Sequence, residues 1–322
     1  YSIYYTSSLK PKDVLEIMQE RKIRFMVTVP AFLKFLKKYF ESEISKKSAL
    51  YKTMLKIKYQ LARFMPFSLR PLLFQTIHRL YGKHFYGYIS GGAPLDPIVG
   101  DWFRRIGVRM FQGYGLSETS PVISMCNSTN QDNTCSVGPI LSSYDAKIDS
   151  ESGELLVKGP SVMKGYYGRD DLTNEVIDKD GWLHTGDIAE IRNGLLYITG
   201  RIKNMIVLSG GKKVFPEEVE TVLQQSNNFQ EVCVVGLPKV GGEKDGCEEI
   251  VTVIVPSPEF AASFSNEEDM KKAIKAEVKQ LSNQLAPYKR PINIVVRTEN
   301  LPRTATSKVK RKEVKSMLAA SL

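Results

Sequence analysis

The sequence predicts an α/β region with a mostly parallel sheet, then antiparallel β structure, then a small α+β domain. Three observations support this order. Helical and strand patterns alternate over the first third of the chain, turn residues separate short strands over 134–202, and helices and strands mix again from residue 203. A length of 322 residues accommodates two or three domains. We therefore place the regions at 1–133, 134–202 and 203–322.

The first region contains strands that end in glycine turns. Alternation of strands with helices favours a parallel sheet, and ligands of such sheets bind beyond the carboxyl ends of the strands. Two of the predicted strands end at Gly91-Gly92 and at Gly113. The predicted elements are a helix over Lys12–Arg21, a strand over Phe25–Val29 that stops at Pro30, a strand over Phe85–Ser90, a helix over Asp96–Ile106 and a strand over Val108–Gln112.

The middle and last regions have different patterns. Asn193-Gly194 separates two apolar runs, and this dipeptide favours a type I′ hairpin turn, so we expect an antiparallel, barrel-like sheet over 134–202. Ser265 and Glu268 form a capping-box pattern that predicts a helix running to Leu281. The other elements predicted after Arg201 are a helix over Pro216–Gln225 and strands over Val232–Val235, Ile250–Val255 and Ile292–Val296.

Positive charge is concentrated at the two ends of the chain. The net charge of +10 divides into +12 over residues 1–90, −7 over 91–300 and +5 over 301–322. Residues 45–94 contain no Asp or Glu, and their basic and apolar side chains recur at helical intervals. Two interpretations are open: a peripheral contact with anionic lipid, or a solvated basic face over an ordinary core. Nucleic acid is not expected, because no nucleic-acid-binding motif accompanies the basic residues.

Several protein classes are excluded by composition. A hydrophobic content of 42% with 25% charged residues is typical of a globular protein. No apolar run reaches the ~18 residues of a membrane-spanning helix. The four cysteines, which lack CxxC spacing, are expected to be reduced thiols of a cytoplasmic protein; they are Cys126, Cys135, Cys233 and Cys247.

Four segments carry residues suited to nucleotide chemistry. Glycines let a ligand approach the backbone, Tyr114 offers a stacking surface, and Glu118 offers an oxygen ligand suited to Mg²⁺. Asp187 follows a turn and could accept hydrogen bonds from a ribose diol. Taken singly, each of these residues could equally have an ordinary structural role. The segments are Gln112–Thr119, Asp180–Asp187, Gly200–Glu220 and Leu301–Lys308.

Together and in this order, the segments resemble the acyl-adenylate-forming superfamily, which includes acyl-CoA synthetases, luciferases and nonribosomal peptide adenylation domains. The resemblance runs from Val14 to Val314, and Ser90–Leu95 and Gly153–Tyr167 are also similar to motifs of the family. It implies the later part of a large domain followed by a small, mobile C-terminal domain. The family's Ser/Thr/Gly-rich phosphate loop is expected upstream, since Thr6–Pro11 lacks its glycines, and residues 1–322 alone are expected to be inactive.

The resemblance also implies roles for individual residues. In the large domain, Tyr114 should pack on adenine, Glu118 should hold Mg²⁺, and Asp187 and Arg201 should bind the ribose hydroxyls. Ser117 stands where the family usually has a threonine that contacts phosphate. The remaining residues of this implied nucleotide site are Gly92, Ala93, Gln112, Gly113 and Gly115.

In the small domain, Lys203 matches the hinge of the family and Lys308 matches the lysine that neutralises the carboxylate and α-phosphate during adenylation. Ser307 precedes it where glycine is common. The stretch Ser209–Lys213 resembles the loop that lines the pantetheine tunnel, with Ser209, Gly210, Gly211 and Lys212 as its expected contacts with coenzyme A.

The implied activity is that of an AMP-forming synthetase, most similar to the long-chain fatty acyl-CoA synthetases. Its substrates would be a fatty acid, ATP with Mg²⁺, and coenzyme A. The fatty-acid preference depends on the long basic and apolar segment before Ser90, which resembles that of long-chain members. Two alternatives stay open: a ligase that delivers the acyl group to a carrier protein, and a non-catalytic fragment that binds lipid or nucleotide.

Overall fold

The computed structural model of the chain describes residues 2–127, 136–238, 247–304 and 308–319. Its helices are α1 (Pro11–Glu20), α2 (Pro30–Ser45), α3 (Ala49–Leu61), α4 (Arg70–Leu73), α5 (Gln75–Tyr81), α6 (Pro97–Arg105), α7 (Asp170–Val176), α8 (Pro216–Leu223), α9 (Pro258–Ala261), α10 (Glu267–Leu281) and α11 (Arg311–Ala319). Its strands are β1 (Phe25–Thr28), β2 (Gly87–Ser90), β3 (Arg109–Tyr114), β4 (Ser124–Asn127), β5 (Asp145–Ile148), β6 (Glu154–Lys158), β7 (Leu183–Arg192), β8 (Leu195–Arg201), β9 (Ile206–Val207), β10 (Lys213–Val214), β11 (Phe229–Pro238), β12 (Glu248–Pro256) and β13 (Asn293–Val296).

The chain forms two compact units. The first comprises Tyr1–Ala146, Val157–Leu183 and Ile191–Tyr197, and the second comprises Lys147–Leu156, His184–Glu190 and Ile198–Leu322. The predicted fold class, mixed α/β with an antiparallel half-barrel sheet, is confirmed. The predicted boundary at residue 133 lies outside the described residues, and the three-region division stays a prediction.

The sheet of the first unit has the order β1-β2-β3-β4, in which the first three strands are parallel and β4 runs antiparallel to β3. Its core is built from apolar side chains that the helices turn toward the strands, among them Leu33, Leu36 and Phe103, each fully buried. Ser90 at the end of β2 pairs with Gln112 of β3. This register places Gly91-Gly92, directly after β2, beside Gly113. The predicted turn at Gly113 was wrong, because β3 continues to Tyr114 and Gly113 pairs with Met125 of β4.

Strands β5-β6-β7-β8 form a second four-stranded sheet. The predicted Asn-Gly hairpin joins its last two strands, and both turn residues have positive φ, 51° at Asn193 and 75° at Gly194. Two central residues with positive φ are what a type I′ turn requires. The hairpin prediction is therefore confirmed.

In the second unit, strands β11-β12-β13 form a sheet with helices on both faces. Val232 and Val234 belong to a core cluster with α8 and α10, whereas Cys233 and Val235 belong to a cluster with α11. Burial on both faces explains the unbroken apolar run of β11. The strand is longer than predicted, because its pairing with β12 continues past the apolar run to Phe229 and Pro238.

The capping prediction for α10 was wrong by one residue. Asn266, rather than Ser265, is the N-cap, since its side chain accepts a hydrogen bond from the backbone N of Asp269 and its backbone is extended.

The described cysteines are free thiols, and burial raises the pKa of Cys233 to about 12, so this thiol is unreactive; Cys135 lies outside the described residues. Among the described residues, no helix combines the length and hydrophobicity needed to span a bilayer.

Candidate functional site

The glycine segment after β2 carries two of the predicted nucleotide-site residues, Gly92 and Ala93. The Ser90 side chain is fully buried, and its hydroxyl has no hydrogen-bond partner among the described residues. Gly92 has a φ of +79°, a conformation that glycine adopts without strain, while its Cα faces open space. Parallel strands thus present backbone groups and an unpartnered hydroxyl at one edge, as a site for a polar ligand requires.

The segment that follows β3 is held in a tight loop. Gly115 approaches the backbone so closely that any Cβ would collide with the carbonyl oxygen of Pro121. The fully buried Thr119 hydroxyl donates to Leu116 O at 2.9 Å and accepts from Leu116 N at 3.0 Å. These contacts fix the 3-10 turn Ser117–Thr119 that carries Glu118. Thr119 was missed as a supporting residue.

Glu118 is tied to the motif Gly153–Tyr167, which the sequence predicted without assigning it a role. The Tyr166 hydroxyl donates to Glu118 Oε1 at 2.8 Å, and Met163 N donates to Glu118 O at 2.7 Å. The hydrogen bond to Glu118 raises the pKa of Tyr166, so the phenol remains a donor. No group of three or more His, Cys, Asp or Glu in the described ranges could hold a metal by itself. A lone carboxylate suits Mg²⁺ only when phosphate and water supply the other ligands.

Asp187 and Arg201, on the two strands of the Asn-Gly hairpin, form an ion pair. Arg201 Nε lies 2.7 Å from Asp187 Oδ1, and Nη2 donates to Oδ2 at 3.5 Å. Only 1% of Asp187 is exposed, whereas 41% of the Arg201 side chain is exposed. The structure thus brings together the two residues to which the resemblance assigns ribose binding.

The part of β7 that precedes Asp187 is held by residues that sequence reasoning missed. The buried Glu154 accepts from Gly186 N at 2.7 Å through Oε1, and its Oε2 lies 2.9 Å from His184 Nδ1. Thr185 donates through its hydroxyl to Leu155 O at 2.7 Å and accepts from Asp187 N at 3.2 Å. The carboxylate of Asp187 is therefore carried by a strand segment that side chains hold in place, as a recognition group requires.

The predicted hinge and coenzyme A residues lie on exposed segments of the second unit. Lys203 is exposed on the 3-10 turn Ile202–Asn204. Ser209–Lys212 connects β9 to β10, and Gly210 and Gly211 have φ values of +84° and +77°. Lys212 Nζ lies 4.8 Å above the ring of Tyr288. Lys308 is exposed near the start of α11, while Ser307 lies outside the described residues.

Comparison with known proteins identifies the family. The profile described as AMP-binding enzyme matches residues 2–167, more than half of the chain, and that of the AMP-binding enzyme C-terminal domain matches residues 218–308. The chain belongs to the AMP-binding enzyme family. A long-chain-fatty-acid–CoA ligase of Salmonella typhimurium is 32% identical over 298 residues, covering 89% of this chain and 47% of the relative. The chain thus spans about half the length of the curated relatives it matches.

Solved structures of AMP-binding enzymes share the fold. ATP-bound MatB from Rhodopseudomonas palustris superposes with a TM-score of 0.71 at 23% identity, covering 97% of this chain and 54% of that protein. The o-succinylbenzoate coenzyme A synthetase MenE from Bacillus subtilis, solved with ATP and magnesium, gives a TM-score of 0.67 at 25% identity, with coverages of 95% and 54%. The fold expected from the resemblance is therefore confirmed.

Proposed function

We propose that the protein containing this chain is an AMP-forming acyl-CoA synthetase that activates a long-chain fatty acid. The observation that carries the proposal is the 32% identity to a long-chain-fatty-acid–CoA ligase over 89% of the chain. In this proposal, the buried Asp187 paired with Arg201 and the glycine segment after Ser90 would each contribute polar contacts to the nucleotide.

Two reactions in sequence constitute the proposed activity. A fatty-acid carboxylate oxygen attacks the α-phosphorus of ATP, and pyrophosphate leaves with the electrons of the broken phosphoanhydride bond. The thiol of coenzyme A then attacks the acyl carbon, AMP leaves, and the thiol proton passes to solvent. Neither reaction requires a side-chain nucleophile, so catalysis depends on positioning and charge neutralisation.

In this proposal the residues of the chain bind and orient the nucleotide. Asp187 accepts the ribose hydroxyls, Tyr114 covers the adenine ring, and Lys308 neutralises the reacting carboxylate and α-phosphate. Glu118 would hold Mg²⁺, which offsets phosphate charge when it is bound, with its carboxylate oriented by the Tyr166 hydroxyl. Lys203 would be the hinge between the two reactions, and the loop 209–212 would contact coenzyme A.

The proposal is tested by measuring AMP and pyrophosphate release from the full-length protein with a series of acids. Release that depends on a long-chain fatty acid, together with acyl-CoA formation when coenzyme A is present, is the expected result. Pyrophosphate release without acyl-CoA would instead favour delivery to a carrier protein. Release with o-succinylbenzoate but not with fatty acids would refute the proposed substrate, since MenE, the synthetase for that acid, has the same fold.

We also propose that α3 and the turn after it attach the protein to anionic lipid. Leu50, Met54, Ile57 and Leu61 form a narrow stripe along one face of α3, and all four are exposed. Leu50 and Phe64 are each more than four-fifths exposed, while Leu55 on the other face packs against the core. An outward apolar stripe that no other described residue covers is typical of a docking surface.

The charge of this segment favours anionic lipid as the partner. Residues 45–94 contain nine Lys or Arg and no acidic residue. Each basic residue near an anionic membrane contributes roughly 1 kcal/mol, and the apolar stripe can enter the interface. A substrate that partitions into membranes would then be collected where it is concentrated.

Liposome sedimentation tests this attachment. Reversing Lys52, Lys56, Lys58 and Arg63 to Glu should abolish pelleting with anionic liposomes, and replacing the exposed Leu50 and Phe64 by Ser should weaken it. Reversal of four lysines on α10 is the matched control and should change little; these are Lys271, Lys272, Lys275 and Lys279. Wild-type pelleting that is unaffected by either set of changes, or binding to RNA that is stronger than to lipid, would refute the proposal.

A further inference from the structure

Thr304 and Lys308 are joined by hydrogen bonds and are the two described ends of what we call the Lys308 loop. Thr304 N donates to Lys308 O at 2.8 Å, and Lys308 N donates to the Thr304 hydroxyl at 3.1 Å. Two residues further out on each side, Lys310 N donates to Pro302 O at 2.8 Å. The backbone at Lys308 is thus fixed, although its side chain is exposed.

The chain entering this loop is fixed by a buried carboxylate. Arg303 donates to Glu231 Oε1 through Nε at 3.1 Å and Nη2 at 2.8 Å. The Glu231 side chain is only 4% exposed, and its Oε2 accepts from Leu301 N at 2.7 Å. Since Glu231 lies on β11, it anchors the incoming chain to the central sheet of the second unit.

The chain leaving the loop is fixed by another arginine, at the start of α11. Arg311 donates to both carboxylate oxygens of Glu220 and, at 2.5 Å, to Val234 O on β11. Val234 N in turn donates to Glu220 Oε1 at 2.7 Å. Burial acts to lower the pKa of Arg311, but the hydrogen bond and charge of Glu220 outweigh it, so the pKa is raised and the guanidinium stays charged.

The same network reaches the residue after the predicted hinge. Glu217 Oε1 accepts from Arg311 Nη2 at 3.4 Å and from Asn204 Nδ2 at 2.6 Å. Asn204 follows Lys203 directly, so Glu217 joins the hinge turn to the base of the Lys308 loop. A rotation at Lys203 would therefore carry Lys308 with it.

We propose that Arg303 and Arg311, the arginine clamp, are positioning residues that hold Lys308 for adenylation. The inference rests on the proposed function of Lys308. A lysine side chain is flexible, and it can neutralise a developing charge only if its backbone is placed accurately. Anchoring on both sides of Lys308 to one buried strand provides this placement, which neither arginine could supply alone.

The kinetic test compares Arg311→Gln and Arg303→Gln with wild type in the two half-reactions. Each variant should lower the maximal rate of acyl-adenylate formation by about 10- to 100-fold. Thioester formation from supplied acyl-adenylate should stay within about threefold, because Lys308 acts only in adenylation. The control is Lys315→Gln. Lys315 also lies on α11, and its substitution removes an ion pair with Glu248, so this variant should match the wild-type rates of both half-reactions. Equal losses in both half-reactions would refute the clamp.

A double-mutant cycle separates positioning from general damage. In a Lys308→Ala background, Arg311→Gln should lower the rate of acyl-adenylate formation by less than about threefold, since there is no longer a lysine to position. Arg311→Lys keeps the positive charge but loses the paired hydrogen bonds to the two carboxylate oxygens of Glu220, so an intermediate rate of acyl-adenylate formation is expected. If Arg311→Gln lowers the rate of acyl-adenylate formation by the same factor in Lys308→Ala as in wild type, the proposal is wrong.

Hydrogen exchange tests the clamp without relying on any activity. The amides of Thr304, Lys308 and Lys310 donate hydrogen bonds within the loop and should exchange at least about tenfold faster in Arg311→Gln than in wild type or Lys315→Gln. Unchanged exchange would refute the clamp even if the protein proves to be a synthetase. Faster exchange in a protein without fatty-acid-dependent pyrophosphate release would instead refute the proposed function and leave Lys308 without a reaction to serve.

Discussion

Replacing Asp187 by Asn should selectively weaken recognition of the ribose. The substitution keeps the size of the side chain but removes its charge and one acceptor oxygen. Because the carboxylate is 1% exposed, a bound ribose would meet it with little competition from water. The segment of β7 that carries it is held by Thr185 and Glu154, whose contacts do not involve the carboxylate, so its placement should survive.

The magnitude follows from the strength of the charged hydrogen bond that the ribose would no longer make. A hydrogen bond to a charged group contributes roughly 1.5–3 kcal/mol, so ATP affinity should fall about 10- to 150-fold. Asp187→Asn also breaks the pair with Arg201, but 41% of that side chain is exposed and water can solvate the guanidinium. The free energy of unfolding should therefore fall by only about 1 kcal/mol, which a thermal melt can check.

The assay compares ATP with 2′-deoxy-ATP in both proteins. The wild type should bind 2′-deoxy-ATP at least about tenfold more weakly, because this nucleotide lacks the 2′-hydroxyl that would donate to the charged carboxylate. In Asp187→Asn the two nucleotides should differ by less than about threefold. If the variant discriminates between them as strongly as the wild type does, Asp187 does not bind the ribose, and the assignment is refuted.

Other predictions concern separate parts of the chain. Lys308→Ala should lower acyl-adenylate formation about 10²- to 10³-fold while thioester formation from supplied acyl-adenylate survives; equal loss in a quenched-flow assay of both steps would contradict its role. Lys203→Pro fixes φ near −65°, so acyl-adenylate should still form while acyl-CoA does not; normal acyl-CoA yield would show that Lys203 is not the hinge. His78 has a pKa below 6.5 because it is buried, so the unfolded chain binds more protons and the protein should lose stability as pH falls below about 6.5. His78→Gln should show a shallower fall in melting temperature over that range, and identical pH profiles would exclude the imidazole as its cause.

The fold class and the longer elements could be predicted because their signals are local. Helix α2 begins at the Pro30 where the preceding strand was expected to stop, and the Asn-Gly dipeptide fixes the β7–β8 hairpin. That hairpin also explains how Asp187 and Arg201, 14 residues apart, come together. Short strands such as β4 were not predicted, since four residues give too little periodicity to be recognised.

The supporting contacts of the candidate site could not be predicted, because they join distant residues. Tyr166 is 48 residues from Glu118, and Arg311 is 91 residues from Glu220. No spacing rule relates residues so far apart, and each alone looks like an ordinary tyrosine or arginine. The resemblance pointed to the groups proposed to act on substrates but not to the residues that hold those groups in place.

The candidate residues thus divide into reactive groups and the neighbours that hold them. Glu118 is half-buried and Lys308 is exposed, and each lies on a short segment fixed by neighbours: Thr119 and Tyr166 for the first, the arginine clamp for the second. This division suits a reaction that uses no protein nucleophile, because the rate then depends on where charges are placed rather than on what they are. Conservative changes in the supporting residues, such as Arg311→Lys, should therefore lower the rate of acyl-adenylate formation, as removal of the Lys308 side chain does.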